Sequence, residues 1–329
     1  MEAYIRGIAY YLPEKIVTNE DLARDFPEWS AEKIFNKVGI FSRHIAADDE
    51  TAADMAEKAA GQLFRQGIRR DDVDFVIFCT QSPDYKLPSS ACILQNRLGL
   101  GSNVGAFDFN LGCSGYVYGL SIAKGLILGN MAKNVLLLTG ETYSKYIDAS
   151  DKGNRTIFGD AATATLISSE GKARIGDFVF GTDGSGFDDL IVPNGGARNM
   201  PGSHNTVEKP VGNADSLFMD GGDIFAFTLK QVPKMIDLLL QRNNTSRSDV
   251  SLYVLHQANK YMLDFLQKKM KLEDEKMYVN IGSLGNTVSN TIPIALRDAE
   301  DSRLIKSGDN VVLAGFGVGL SWAGVELFY

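Results

Sequence analysis

The run Asp108-Phe109-Asn110-Leu111-Gly112-Cys113-Ser114-Gly115-Tyr116 sets a cysteine between two glycines where the chain changes its hydrophobic period. Upstream, 103–109 is apolar enough for a strand. Downstream, Tyr116, Val117, Leu120, Ile122, Leu126, Ile127 and Leu128 surround a helix with apolar side chains, and only Lys124 is charged. A helix apolar on all sides belongs in a protein interior. The elbow is therefore a buried strand-to-helix junction with Cys113 at the helix N-terminus. Unpaired N–H groups and the macrodipole favour an anion there, which predicts a thiol pKa lowered toward neutrality and a nucleophilic thiolate. Gly112 and Gly115 leave room for a tight turn and for close approach of a substrate. Most free cysteines are buried and inert, and the apolar runs around Cys79 and Cys92 place those two in that class.

Composition limits what the thiol can serve. Three cysteines make no even disulfide framework, and none has metal-ligand spacing to another Cys or His, so a reducing compartment is expected and no metal or cofactor. No apolar run approaches the roughly 20 residues of a membrane span, and the start of the chain lacks a signal-peptide pattern. The expectation is a soluble, cytoplasmic protein without a membrane partner. The formal net charge of −8 argues against nucleic acid.

In chain order, 1–11 reads as a strand ended by Leu12-Pro13, and Thr18-Asn19 opens a small helix around Leu22. Residues 26–48 are mixed, and His44 reads as structural. Thr51 to Asp54 fits a capping box before an amphipathic helix through Met55, Ala59, Ala60 and Leu63. Strands are predicted at 74–79, 134–139, 163–167 and 310–314, with helices at 88–98, 223–241 (bent at Pro233) and 261–272. The Gly-, Asn- and Asp-rich stretch 181–222 is a long loop that either walls a pocket or is irregular surface, with His204 solvated within it.

The second half repeats the first. The pattern Arg69 to Gln81 returns at Ser246 to Gln257, and Leu111-Gly112-Cys113 answers to Leu284-Gly285-Asn286. Two such βα units imply a duplicated α/β domain with largely parallel sheets, divided where composition turns polar into 1–170, carrying the cysteine, and 171–329, carrying the histidine and asparagine. The repeat sets Cys113, His256 and Asn286 at equivalent strand ends, where α/β proteins place functional groups.

Together, Leu111-Gly112-Cys113-Ser114-Gly115, Phe158-Gly159-Asp160-Ala161, His256-Gln257-Ala258-Asn259, Gly285-Asn286-Thr287 and Gly317-Val318-Gly319 resemble the β-ketoacyl-acyl-carrier-protein synthase III family, over essentially the whole chain. The resemblance implies a five-layer α/β/α/β/α thiolase-type fold, a homodimer, and an acyltransferase of fatty acid biosynthesis. In that reaction Cys113 attacks an acyl thioester, with the oxyanion held by its own N–H and that of Val318. A malonyl-carrier thioester then loses CO2 and condenses with the acyl group. His256 and Asn286 supply two neutral donors to the developing enolate, where a glutamate would repel the charge. The plainer alternatives are an interior histidine and a turn or capping asparagine.

The resemblance also implies a substrate channel at Lys37, Lys152, Arg155 and Asn259. The adenine-stacking tryptophan of the family would fall near Lys33, where no aromatic stands, with Trp29 one turn upstream. Lys152 occupies the place of its partnering arginine, so the acyl donor is either coenzyme A or a carrier protein. Leu87 stands where an aromatic commonly floors the neighbouring subunit's acyl tunnel, which would admit a longer or branched chain. Lys268, Lys269 and Lys271 match the basic surface that receives acyl carrier protein, against the ordinary reading of a solvated helix face. Rival functions are acyl transfer to a hydroxyl, amine or non-malonyl acceptor, thioester hydrolysis, and an inactive partner subunit.

Overall fold

A computed structural model of the chain describes residues 2–200, 207, 209 and 212–329. The expectation for His204 falls outside them. The first half runs β1 (Tyr4–Tyr11), β2 (Lys15–Thr18), α1 (Asn19–Asp25), α2 (Ala31–Val38), β3 (Ser42–Ile45), α3 (Ala52–Arg65), β4 (Phe75–Cys79), α4 (Ser90–Arg97), β5 (Gly105–Phe109), α5 (Gly115–Leu128), β6 (Asn134–Glu141), α6 (Lys152–Ile157) and β7 (Ala161–Ser168). The second runs β8 (Ala173–Thr182), β9 (Leu190–Ile191), β10 (Phe218–Met219), α7 (Gly221–Asn243), β11 (Val250–Leu255), α8 (Lys260–Met270), α9 (Thr291–Asp301), β12 (Asn310–Gly317) and β13 (Ser321–Phe328). Thr51 closes its capping box with Asp54, and Thr18 does the same with Asp21. Helix α7 continues through Pro233.

The strands line up as β11-β12-β13-β8-β1-β7-β6-β4-β5. The halves join at a short antiparallel contact of β1 with β8, Tyr4 opposite Arg174 and Ile5 opposite Ala173. Apolar residues of α5 and α9, among them Tyr116, Leu120, Ile292 and Leu296, fill the space between the two halves of the sheet. α3 and α4 cover the outer face of the first half, and α7 and α8 that of the second. The result is five layers, α/β/α/β/α.

The expectation of largely parallel sheets is corrected. β4 is parallel to β5 and β6, and β11 to β12, but β1, β7, β8 and β13 pair antiparallel throughout. Parallel neighbours arise where a helix carries the chain back across the sheet. β12 instead passes to β13 through the short turn 317–321, which allows only an antiparallel return. The ends that matter to the site are nevertheless those of parallel strands, β5 before Cys113 and β11 before His256.

Candidate active site

Cys113 follows β5 in the turn that leads to α5. The Gly115 N–H bonds back to the Gly112 carbonyl at 2.7 Å, so it closes the turn instead of pointing at the sulfur. The glycines leave room for protein, not substrate. A β-carbon on Gly112 would lie 2.5 Å from Gln81 Oε1 and 2.7 Å from Val318 Cγ1, and one on Gly115 would lie 2.3 Å from Cys79 Sγ. The lowered thiol pKa is likewise corrected. The side chain is only 4% exposed, and burial pushes the thiol up to about 12, although hydrogen bonds from the Val318 and Cys113 backbone N–H groups pull the other way. Desolvation outweighs the helix end, so the resting sulfur is a thiol lying under two amide donors. Cys79 is buried as expected, whereas Cys92 is exposed, because α4 turns Ala91 and Leu94 inward and Cys92 outward.

His256 extends β11 by one residue, its N–H bonding to Ala314 O at 2.8 Å. The ring stands edge-on to Phe316 at 5.5 Å between centroids, and Nδ1 lies 2.7 Å from Thr291 Oγ1. Burial drives its pKa down to about 3, so the imidazole is neutral at working pH. Asn286 is pinned by its backbone, with N–H to Ile157 O at 2.8 Å and carbonyl from the Gly159 N–H at 3.0 Å. Its Oδ1 accepts the Val288 N–H at 2.9 Å. The amide NH2 is left without a protein partner among the described residues, as is His256 Nε2.

These segments meet. A β-carbon on Gly317 would lie 2.8 Å from both Cβ and Sγ of Cys113. The preceding Phe316 packs on His256, and Val288, bonded to Asn286, comes within 3.2 Å of the same Gly112 β-carbon position. The repeat is looser at Asn286 than at His256. No full strand precedes it, only isolated bridges, Met277 to Tyr253 and Asn286 itself to Phe158, and α9 begins after an intervening turn at 288–290.

Two cavities lie beside this junction, lined not by Cys113, His256 or Asn286 themselves but by their neighbours, Val318 in one and Ile157 in the other. One, of about 600 Å³, is walled by Gln81, Tyr143, Leu217, Val318 and Gly319. The other, of about 680 Å³, runs from Lys37 past Asp151 and Asn154 to Ile157 and Leu217. Residues of 181–222 line both, which decides for a wall over irregular surface.

Several buried groups had no strong sequence signal. Glu141 closes β6, accepts the Gln81 N–H at 3.1 Å on each oxygen and takes the Ser82 and Ser289 hydroxyls at 3.2 Å. Tyr143 donates to Gln81 Oε1. A lone carboxylate ending an apolar strand is the one available clue. Burial raises the Glu141 pKa to about 8. The folded state therefore holds a proton that the unfolded chain releases near its ordinary value of 4.5. Stability is full below that value and falls as pH rises to about 8, by a few kcal/mol at most. Glu141→Gln is expected to flatten this decline, read as melting temperature against pH. An unchanged slope would show that Glu141 is ionised in the fold.

The peripheral expectations fare unevenly. Lys37 lines the second cavity and lies over the Trp29 ring, 4.7 Å from its centroid, with Lys33 at 5.6 Å. Lys152 is tied to Glu28 and Arg155 to Asp25. Asn259 caps α8 through the Met262 N–H at 2.8 Å. Leu87 is 83% exposed. Lys268 and Lys269 lie in the last turn of α8, but Lys271 is its left-handed cap, beyond the helix on which it was expected. His44 is structural, its Nδ1 2.6 Å from Pro13 O.

The fold is of the thiolase type, and with the cysteine at its centre it places the protein among the acyltransferases that condense acyl groups. The description "3-Oxoacyl-[acyl-carrier-protein (ACP)] synthase III" matches residues 107–184, and that of its C-terminal part matches 240–328. The chain is 38% identical to the beta-ketoacyl-[acyl-carrier-protein] synthase III of Caldanaerobacter subterraneus subsp. tengcongensis, covering 98% of this chain and 96% of that one. It is 39% identical to that of Sulfurimonas denitrificans, over 97% and 96%. A solved structure of a 3-oxoacyl-(acyl-carrier-protein) synthase III superposes with a TM-score of 0.95 at 50% identity, covering both chains fully. The chain belongs to the β-ketoacyl-acyl-carrier-protein synthase III family. Among the described residues no helix is long and apolar enough to cross a membrane.

Proposed function

We propose that the protein joins an acyl group to a malonyl-carrier thioester, with Cys113, His256 and Asn286 as the reacting and stabilising groups. The Cys113 sulfur attacks the acyl thioester, the oxyanion rests on the Cys113 and Val318 N–H groups, and the thiol proton leaves with the departing thiol. A malonyl thioester then loses CO2, and its enolate oxygen is held by His256 Nε2–H and the Asn286 amide. The enolate carbon attacks the Cys113 acyl carbon, and the sulfur is released. The halves 1–170 and 171–329 are the two copies of the duplication, the first giving the thiol and the second the two donors. The observation that carries this reading is that both donors are uncharged and tethered at their far ends, by Thr291 and Val288. Such an arrangement suits a charge that develops late. Intact-mass analysis tests it: the acyl adduct on Cys113 should form from an acyl thioester and disappear on adding malonyl-carrier. An adduct lost equally fast to water alone points to a hydrolase.

The acyl donor is taken to arrive on a carrier protein in preference to coenzyme A. Glu28 and Asp25 occupy the cations Lys152 and Arg155 that would meet the nucleotide's phosphates. The carrier is acidic and docks near Lys268 and Lys269. Reversing both charges should raise the apparent KM for carrier-bound substrate several-fold at low salt, and less at high salt. A salt-independent KM in the wild type removes this surface from the reaction. Tyr85 and Leu87, both largely exposed, form the surface a second copy would cover in a homodimer. A monomer's sedimentation coefficient would contradict that.

A further inference from the structure

The condensing reading requires His256 to present an N–H, yet a neutral imidazole has two tautomers and only one has its proton on Nε2. We propose that Thr291 fixes that tautomer, its hydroxyl donating to Nδ1 so that Nε2–H faces the reacting oxygen. This rests on the function proposed above.

The hydroxyl has one proton and two acceptors in reach, His256 Nδ1 at 2.7 Å and Val288 O at 3.1 Å. A hydroxyl bond to oxygen normally spans roughly 2.5–3.0 Å, so the carbonyl contact is the weaker of the two. That carbonyl already receives the backbone N–H of Thr291 and is not orphaned when the hydroxyl turns away. No other donor or acceptor reaches either ring nitrogen among the described residues. The short segment 286–291 thus aims both donors, through the Val288 N–H on Asn286 Oδ1 and the Thr291 hydroxyl on His256 Nδ1.

The consequence falls on one half-reaction. As the bond from the malonyl carbon to its carboxylate breaks, CO2 leaves and the electron pair moves toward the thioester oxygen. Nε2–H stabilises that oxygen without giving up its proton. The opposite tautomer would set a lone pair against it. Loading of Cys113 makes no such demand. Thr291 touches no reacting atom and is a positioning residue.

The chain has only three histidines, His44, His204 and His256, so nitrogen-15 spectra of histidine-labelled protein resolve the tautomer directly. The wild type should show Nε2–H at His256. Thr291→Val, which keeps the shape and removes the proton, should shift it toward Nδ1–H and lower condensation about 100-fold, with Cys113 loading by intact mass little changed. Thr291→Ser should restore both spectrum and rate. A valine variant with the wild-type tautomer, or one that loses loading and condensation equally, overturns the proposal. If that variant does not fold, the wild-type spectrum decides alone, since Nδ1–H at His256 excludes the assignment. Wild-type enzyme that loads but releases no CO2 would sink the functional reading while leaving the tautomer measurable.

Discussion

Cys113→Ala is expected to abolish acyl loading and reduce product formation at least about 1,000-fold, because the covalent intermediate has no other nucleophile to form on. Cys79 cannot substitute. Its side chain is fully enclosed and donates to Leu111 O at 3.1 Å, where Cys113 instead lies under the Val318 N–H. Cys92 is exposed on α4, away from the junction. The alanine leaves the turn intact, since the bond from Gly115 N–H to Gly112 O does not involve the side chain. Persistent loading in this variant, located by peptide mass analysis at another residue, would show that the thiol has been misassigned.

Asn286→Asp should separate the two half-reactions. An aspartate has the same shape and still offers an oxygen to the Val288 N–H, so the local fold is kept. It replaces a donor by a group that repels the developing enolate and costs the removed stabilisation as well. Decarboxylation and condensation are expected to fall by about 100- to 1,000-fold, while Cys113 still takes up its acyl group. A variant with normal CO2 release places the enolate elsewhere.

Much of this arrangement is readable from residues alone, and the reasons are local. The elbow at Cys113 is legible because a short apolar strand segment meets a helix apolar on every side. The capping box at Thr51 is legible because four residues suffice to make it. His256 is legible because the pattern around β11 repeats that around β4. What escapes is whatever depends on distant packing. The elbow predicts a lowered thiol pKa, yet the sulfur lies beneath Val318 and Gly317, more than 200 residues away in sequence, and their burial of it reverses the shift. The antiparallel pairing of β7 with β1 joins segments far apart in sequence, so neither segment shows it alone. Thr291 carries no signal of its own in the sequence, and only its approach to His256 gives it a task. Lys152 and Arg155 read as substrate-binding cations, and their pairing with Glu28 and Asp25 is hidden because those acids lie in a different segment of the chain.

The most direct measurement is CO2 release from malonyl-carrier by enzyme whose Cys113 has first been loaded with a single acyl equivalent. One CO2 and one 3-oxoacyl-carrier per loaded thiol is the predicted result, with neither formed by His256→Ala or Asn286→Asp at a comparable rate. Discharge of the acyl group to malonyl-carrier, to another acceptor or to water without loss of CO2 would contradict the account.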